Sequence, residues 1–226
     1  KGLTSHDCVN RVRRLFKTRK VGHTGTLDPE VEGVLAICIG RATKIVPFLT
    51  AAKKTYIAEC QLGIATETED AYGKVIETKD VVQPPTEDEI NRVLSLFKGE
   101  ITQIPPMYSA VKVKGKRLYE YARANEPVER PSRQVTIYHI EQLPSDGQDP
   151  TVFRMKVVCS QGTYIRTLCV DIGKKLGYPA HMSDLKRIEA GSFTEADTVT
   201  FEEIEKAVEF GEQQNLLYPM IRGLQH

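Results

Sequence analysis

An α+β domain on a mixed, mostly antiparallel sheet is the fold class this sequence predicts. Strand-like alternation recurs in KTYIAECQL at 54–62, where Tyr56, Ala58, Cys60 and Leu62 share one face. It recurs at 152–160, where Phe153, Met155, Val157 and Cys159 alternate with polar residues. Helix starts are marked at Thr4, Thr86 and Thr200, each followed three residues later by an acid, as in a capping box. Strands and helices mix without strict βαβ order, which argues against a doubly wound parallel sheet.

Taken in order, the Thr4 box opens a helix to about Lys17, with Val9, Val12, Leu15 and Phe16 on one face. A glycine-rich stretch, VGHTGTLDP at 21–29, follows. The apolar run Val34 to Ile39, ending at Gly40, reads as a buried strand. Ala42 to Leu49 reads as a short helix that Pro47 limits. The Thr86 box opens a helix carrying Ile90, Val93, Leu94 and Phe97 inward and stopping at Gly99. Tyr108–Val113, Arg133–Leu143 and Val152–Ser160 are the remaining strand candidates, and Thr163–Leu176 a helix ending at Gly177. Thr200 opens the last helix, with Phe201, Ile204 and Val208 inward. The stretch 105–131, with prolines and a glycine between lysines, reads as an excursion from the sheet.

The chain has 226 residues, enough for one well-buried core. No run approaches the ~18 apolar residues of a membrane span, and no signal-peptide pattern appears. The five cysteines are scattered without a C-x-x-C, which suits reduced core residues of a cytosolic protein rather than a zinc site. Charge is segregated. Residues 1–60 hold eleven Lys/Arg against five Asp/Glu, while acids concentrate at 66–100 and 189–212. A second basic block has Lys112, Lys114, Lys116, Arg117 and Arg123 against Glu120. Such blocks fit either a polyanion partner or solvated faces.

Nucleotide-binding glycine motifs, H-E-x-x-H and G-x-S-x-G are all absent, and no histidine or acid spacing supports a metal site. Asp28 in VGHTGTLDP admits two readings. Asp-Pro commonly serves a turn. Yet Gly22 and Gly25 free the backbone and Pro29 restricts Asp28 to extended values, so its carboxylate could be held as a base or nucleophile. Arg166, where a strand hands over to a helix in SQGTYIR, reads either as a surface residue of the helix's first turn or, being ill matched to the helix dipole, as the partner of a specific anion, with Asp28 a candidate. Tyr56 is either a core tyrosine or a ring for stacking on an extruded base.

Six segments in order resemble the TruB family of tRNA pseudouridine synthases, the pseudouridine-55 synthases of bacterial type. They are GHTGTLDPEVEGVL, KTYIAECQLG, GIATETEDAYG, PPMYSAVKVKGKRLYEYAR, CSQGTYIRTL and AHMSDLKRI. The resemblance implies the pseudouridine synthase fold, a central sheet flanked by helices. It implies Asp28 as catalytic aspartate, Arg166 as its salt-bridge partner and Tyr56 as the ring against the target base. Tyr164 and Leu185 would pack around that base and His23 would contact displaced RNA. Lys44, Asp70, Lys112, Lys114, Lys116 and Arg117 are the other substrate-binding candidates, the last four in a thumb-like RNA-gripping insertion at 105–131.

The implied reaction isomerises the uridine at position 55 in the TΨC loop of tRNA by base flipping, with no cofactor and no metal. The implied partner is the TΨC stem-loop, without a membrane or an obligatory protein partner, in the cytoplasm. Set against the family pattern, residues 1–226 form a single catalytic domain. The pattern's N-terminal strand and Lys-Pro pair are truncated, and its C-terminal PUA-type domain is absent. Two other readings stand beside this one: an RNA-binding or tRNA-folding module without catalysis, and a guide-RNA-dependent relative. A carboxylate glycosidase would need a second placed carboxylate, which the sequence does not nominate.

Overall fold

The computed structural model describes residues 1–225. Thr4 caps α1 (Ser5–Leu15) through a reciprocal box with Asp7. β1 (Val21–His23), β2 (Glu32–Gly33) and β3 (Ile37–Ile39) follow, then a 3-10 turn, Gly40–Ile45, running into α2 (Val46–Ala51). Pro47 sits in the first turn of α2, where its missing N–H does no harm. β4 (Lys54–Leu62) leads to the hairpin β5 (Ile64–Thr66) and β6 (Val75–Thr78). Thr86 caps α3 (Glu87–Ser95). Next come β7 (Gly99–Gln103), β8 (Lys112–Val113), β9 (Lys116–Arg117) and α4 (Leu118–Ala124). The chain continues with β10 (Arg133–Gln142), β11 (Val152–Cys159), α5 (Ile165–Leu176), β12 (Ala180–Ala190), β13 (Phe193–Thr194) and α6 (Phe201–Glu209), which Thr200 caps.

The chain divides into two compact units, one of Lys1–Tyr56 with the chain from Lys186 onward, the other Ile57–Leu185. In the first, α1 buries Val9 and Val12 against Val21, with Phe16, Ile37, Ile39 and Phe201 around them. A second cluster joins Cys38, Ile45 and Leu49. β13 pairs antiparallel with the end of β12, and β2 pairs parallel with it through Glu32↔Lys186 and Gly33↔Arg187. That parallel pair makes the sheet mixed, as the sequence predicts.

In the second unit β7, β10 and β11 pair antiparallel, with a register shift in β10 between Ile137 and His139. Alternation is obeyed closely: Ala58, Cys60 and Leu62 of β4 and Phe153, Met155, Val157 and Cys159 of β11 are all buried. Burying each large side chain of this kind stabilises by about 1.5–3 kcal/mol. Ile90 and Leu94 of α3, and Leu168, Cys169 and Ile172 of α5, are buried as well, and α3 packs on β10 and α5. Ala in place of the fully buried Met155 would remove both transfer energy and packing, about 2–5 kcal/mol.

Three expectations are corrected. The run 34–39 yields a strand only at Ile37–Ile39, because the main-chain groups of Val34 bond to Arg187 and the carbonyl of Ala36 bonds to Thr24. Tyr108–Val113 yields only Lys112–Val113, since the carbonyls of Ser109 and Val111 accept from Tyr119 and Leu118 at the start of α4. The first helix stops at Leu15, and Lys17 turns into the left-handed region at φ 51°.

Candidate active site

The loop from Val21 to Val34 is tied down at nearly every turn, by main-chain and side-chain bonds to Gly2, Ser5, Ala36 and Arg187 of the same unit. β1 and β3 frame it in the register Val21↔Ile39, Gly22↔Cys38, His23↔Ile37. Buried Thr24 donates from its main-chain N–H to the carbonyl of Ala36 at 3.1 Å. Leu27 N–H donates to Ser5 Oγ at 2.9 Å, and Gly2 N–H to the carbonyl of Pro29 at 2.7 Å. Asp28 lies between, half-buried. Its carbonyl accepts from Val31 N–H at 2.9 Å, so the turn at Asp28-Pro29 is closed by main chain and does not require the carboxylate.

Arg187, only 1% exposed, holds the loop from behind. Its Nε donates to the carbonyl of Val34 at 2.8 Å and its Nη2 to that of Gly25 at 3.0 Å. Gly33 lies so close to the Arg187 main chain that a Cβ there would stand 2.1 Å from its carbonyl oxygen, at φ +120°. Only glycine allows this approach. Burial and the charge of Arg187 push the imidazole of His23 below its usual range, favouring the neutral ring. Its Nδ1 is buried without a hydrogen-bond partner among the described residues.

Tyr56, half-buried, ends the apolar face that Ala58 begins. Two residues earlier, buried Lys54 donates to the carbonyls of Leu49 and Ala52 at 3.0 and 2.7 Å, and to that of Thr50. A cation there complements the C-terminal end of α2. Lys44 is exposed on the 3-10 turn before α2.

The second unit gathers Arg166, Tyr164, Asp70, Leu185 and the basic excursion. Arg166 is 6% exposed, and its Nη1 donates to the carbonyls of Thr68 and Tyr108, both at 3.1 Å. It is therefore not a surface residue of the helix's first turn. Tyr164, at the N-cap of α5, is clamped on both main-chain groups by the fully buried amide of Gln103, at 2.8 and 3.0 Å. The Thr66-x-Thr68-x-Asp70-x-x-Gly73 segment is a self-braced loop. Asp70 Oδ1 accepts from Thr68 Oγ1 at 2.6 Å and from Tyr72 N–H at 3.0 Å, so this candidate substrate contact organises its own turn. A Cβ at Gly73 would meet Thr68 Oγ1 at 2.1 Å. Between them Glu69 holds φ 65°, and Thr167 Oγ1 donates to its carboxylate at 3.2 Å. Burial raises the Glu69 carboxyl above the ordinary glutamate range, against the pull of Thr167, Arg166 and Arg130. Leu185 is buried at 9% exposure.

β8 and β9 form a hairpin of their own, outside the larger sheet. Its two-residue turn has Lys114 and Gly115 both at positive φ, the type I′ signature. Lys112, Lys114, Lys116 and Arg117 are all exposed. Lys116 is paired with Glu126 at 3.0 Å, which keeps its ammonium more firmly protonated. Arg117 donates to Tyr119 Oη at 3.2 Å.

His23, Asp28, Lys44 and Tyr56 thus share one unit, and the remaining candidates share the other. Sequence reasoning missed three supports: Arg187, Ser5 and Gln103. Arg187 left one trace, a cation two residues after Leu185 on the same inward face of β12. Ser5 and Gln103 act on main-chain atoms far away in sequence and left none. Among the described residues no group of three or more His, Cys, Asp or Glu stands ready to hold a metal ion.

Comparison with known proteins agrees in family and fold. Residues 13–165 match the model of the TruB family pseudouridylate synthase N-terminal domain, and 166–225 that of the tRNA pseudouridylate synthase B C-terminal domain. The chain is 64% identical over 226 residues to tRNA pseudouridine synthase B of Oceanobacillus iheyensis, covering all of this chain and 74% of that one. It is 54% identical over 228 residues to the protein of that name from Bacillus subtilis, again covering 74% of it. Among solved structures it resembles a chain from a Cbf5-Nop10-Gar1 complex with TM-score 0.76 and 32% identity. That likeness covers 98% of this chain and spans 58% of the neighbour's length. With a family model over two thirds of its residues and full-length relatives above half identity, the chain belongs to the TruB family of pseudouridylate synthases.

Proposed function

We propose that the chain isomerises uridine 55 in the TΨC loop of tRNA to pseudouridine, with Asp28, Tyr56 and Arg166 as its catalytic residues. The observation that carries this reading is the bracing of Asp28: each neighbouring peptide is tied to the N-terminal segment while its own carbonyl closes the turn. Reactions inside a pocket depend on such pre-set geometry. The N1–C1′ bond breaks, the uracil turns, and a C5–C1′ bond forms. The proton leaving C5 is balanced by one gained at N1, so no oxidant or reductant takes part. An ionised carboxylate can act on the detaching nucleoside as nucleophile or base.

The uridine must leave its stack at a cost of a few kcal/mol, least in a loop, and rings such as Tyr56 and Tyr164 offset it by stacking. The cations of 112–117, in a thumb-like insertion spanning 105–131, contact phosphate and position without reading bases. A tRNA substrate supports a cytoplasmic location as part of this reading. The names of the relatives above support the substrate.

The test is pseudouridine mapping on an unmodified tRNA incubated with the protein alone. Modification confined to position 55 supports the reading, and none anywhere overturns it. A second reading, action only within an assembly, draws on the neighbour's origin in a multi-protein complex. Activity of the lone protein on bare tRNA excludes it.

A further inference from the structure

Resting on the reading of Asp28 as the catalytic carboxylate, we infer that Ser5 is a positioning residue that sets the aim of Asp28 through the main chain of Leu27. Ser5 is the first residue of α1 and only 4% exposed. Its Oγ accepts from Leu27 N–H at 2.9 Å and donates to the Leu27 carbonyl at 3.2 Å. One hydroxyl therefore satisfies both main-chain groups of the residue preceding Asp28.

A serine at a helix start is ordinarily explained by capping, but that role is already filled here. Thr4 Oγ1 accepts from Asp7 N–H, and the Asp7 carboxylate accepts from Thr4 N–H. The helix does not need the Ser5 hydroxyl. What uses it is the half-buried peptide of Leu27, whose N–H and carbonyl the one hydroxyl binds.

Beyond Asp28 the Gly2 N–H fixes the carbonyl of Pro29, and Pro29 restricts the ψ of Asp28. With both flanks held and the Asp28 carbonyl bound by Val31, the main chain that carries the Asp28 side chain is fixed. Releasing Leu27 lets the whole residue swing, and a displacement of about 1 Å at a reacting group costs on the order of a hundredfold in rate.

The experiment compares Ser5→Ala with Thr4→Ala, which strips the cap from the same helix end but leaves the Leu27 clamp. For each, the single-turnover rate at saturating tRNA, the tRNA Kd and the melting temperature are measured. Ser5→Ala should slow the rate about ten- to a hundredfold with Kd within about twofold. Thr4→Ala should lower the melting temperature and keep the rate. Ser5→Cys, which retains the volume but weakens both bonds, should fall on the Ser5→Ala side and serves the comparison should Ser5→Ala not fold. If the Ser5 variants are no slower than Thr4→Ala while Asp28→Asn is inactive, positioning by Ser5 is wrong and the catalytic reading stands. If Asp28→Asn is itself active, the catalytic reading falls and this inference with it.

Discussion

The guanidinium of Arg166 donates to the main-chain carbonyl of Thr68 at 3.1 Å, and the same nitrogen reaches the carbonyl of Tyr108. A positive charge at the first turn of α5 is unfavourable against the helix dipole. Here it joins three stretches of chain and fixes a cation in place. Lysine keeps the charge but lacks the planar, multi-donor fork. Arg166→Lys should lose on the order of a hundredfold in single-turnover rate, the size typical for removing a preorganised electrostatic group, with a smaller change in tRNA affinity. A rate near wild type would reduce Arg166 to a loop brace.

The hairpin at 112–117 should show itself in salt dependence. Each cation grounded on phosphate steepens log affinity against log salt by close to one unit. Lys116 already leans on Glu126 at 3.0 Å, so its contribution is discounted. Replacing Lys112, Lys114, Lys116 and Arg117 with glutamine should flatten the slope by about three, similarly for tRNAs of different sequence. Glu126→Gln should act the opposite way, steepening the slope and tightening binding modestly by freeing Lys116. Salt titrations of tRNA binding check both, and parallel slopes for all three proteins would assign these charges to solvent.

How much of this was legible in the sequence depended on the range of the interaction. The capping boxes at Thr4, Thr86 and Thr200 span three residues and appear in the structure as read. The alternation of β11 and of β4 from Ala58 onward survived because one face is buried. β12 was not read as a strand, because Asp184, Lys186, Arg187 and Glu189 break any apolar pattern. Arg187 can be buried only because carbonyls of Gly25 and Val34, more than 150 residues away in sequence, take its donors. Tyr108–Val113 failed for a similar reason, its carbonyls being claimed by α4 and Arg166. At the site, side chains expected to meet substrate were readable from motif resemblance. The residues that hold them, Ser5, Gln103 and Arg187, bond to main chain, and main-chain partners leave no mark on residue type.

Glu69 makes a prediction about pH. Its carboxyl is raised above the ordinary range chiefly by burial, so the folded chain binds this proton more tightly than the unfolded chain. Stability from this group is greatest below the ordinary glutamate pKa and is lost as pH rises toward the raised folded value. Glu69→Gln removes the ionisation, keeps the volume and retains an oxygen that can accept from Thr167. The variant should therefore gain stability relative to wild type at about pH 7.5 and gain less at about pH 4.5. Urea midpoints at the two pH values decide it. A variant less stable than wild type at the higher pH would mean that the ionised carboxylate holds Arg166 and Arg130 favourably.

The most direct measurement is single-turnover pseudouridine formation at position 55 of an unmodified tRNA, comparing wild type with Asp28→Asn. Asparagine preserves the size of the side chain and leaves the main-chain ties of Leu27, Asp28 and Pro29 in place. The expected result is no detectable pseudouridine with tRNA affinity little changed, since affinity comes mostly from phosphate contacts. Retention of even about a tenth of the wild-type rate, under one and a half kcal/mol of barrier, would contradict the assignment of Asp28 as the catalytic carboxylate.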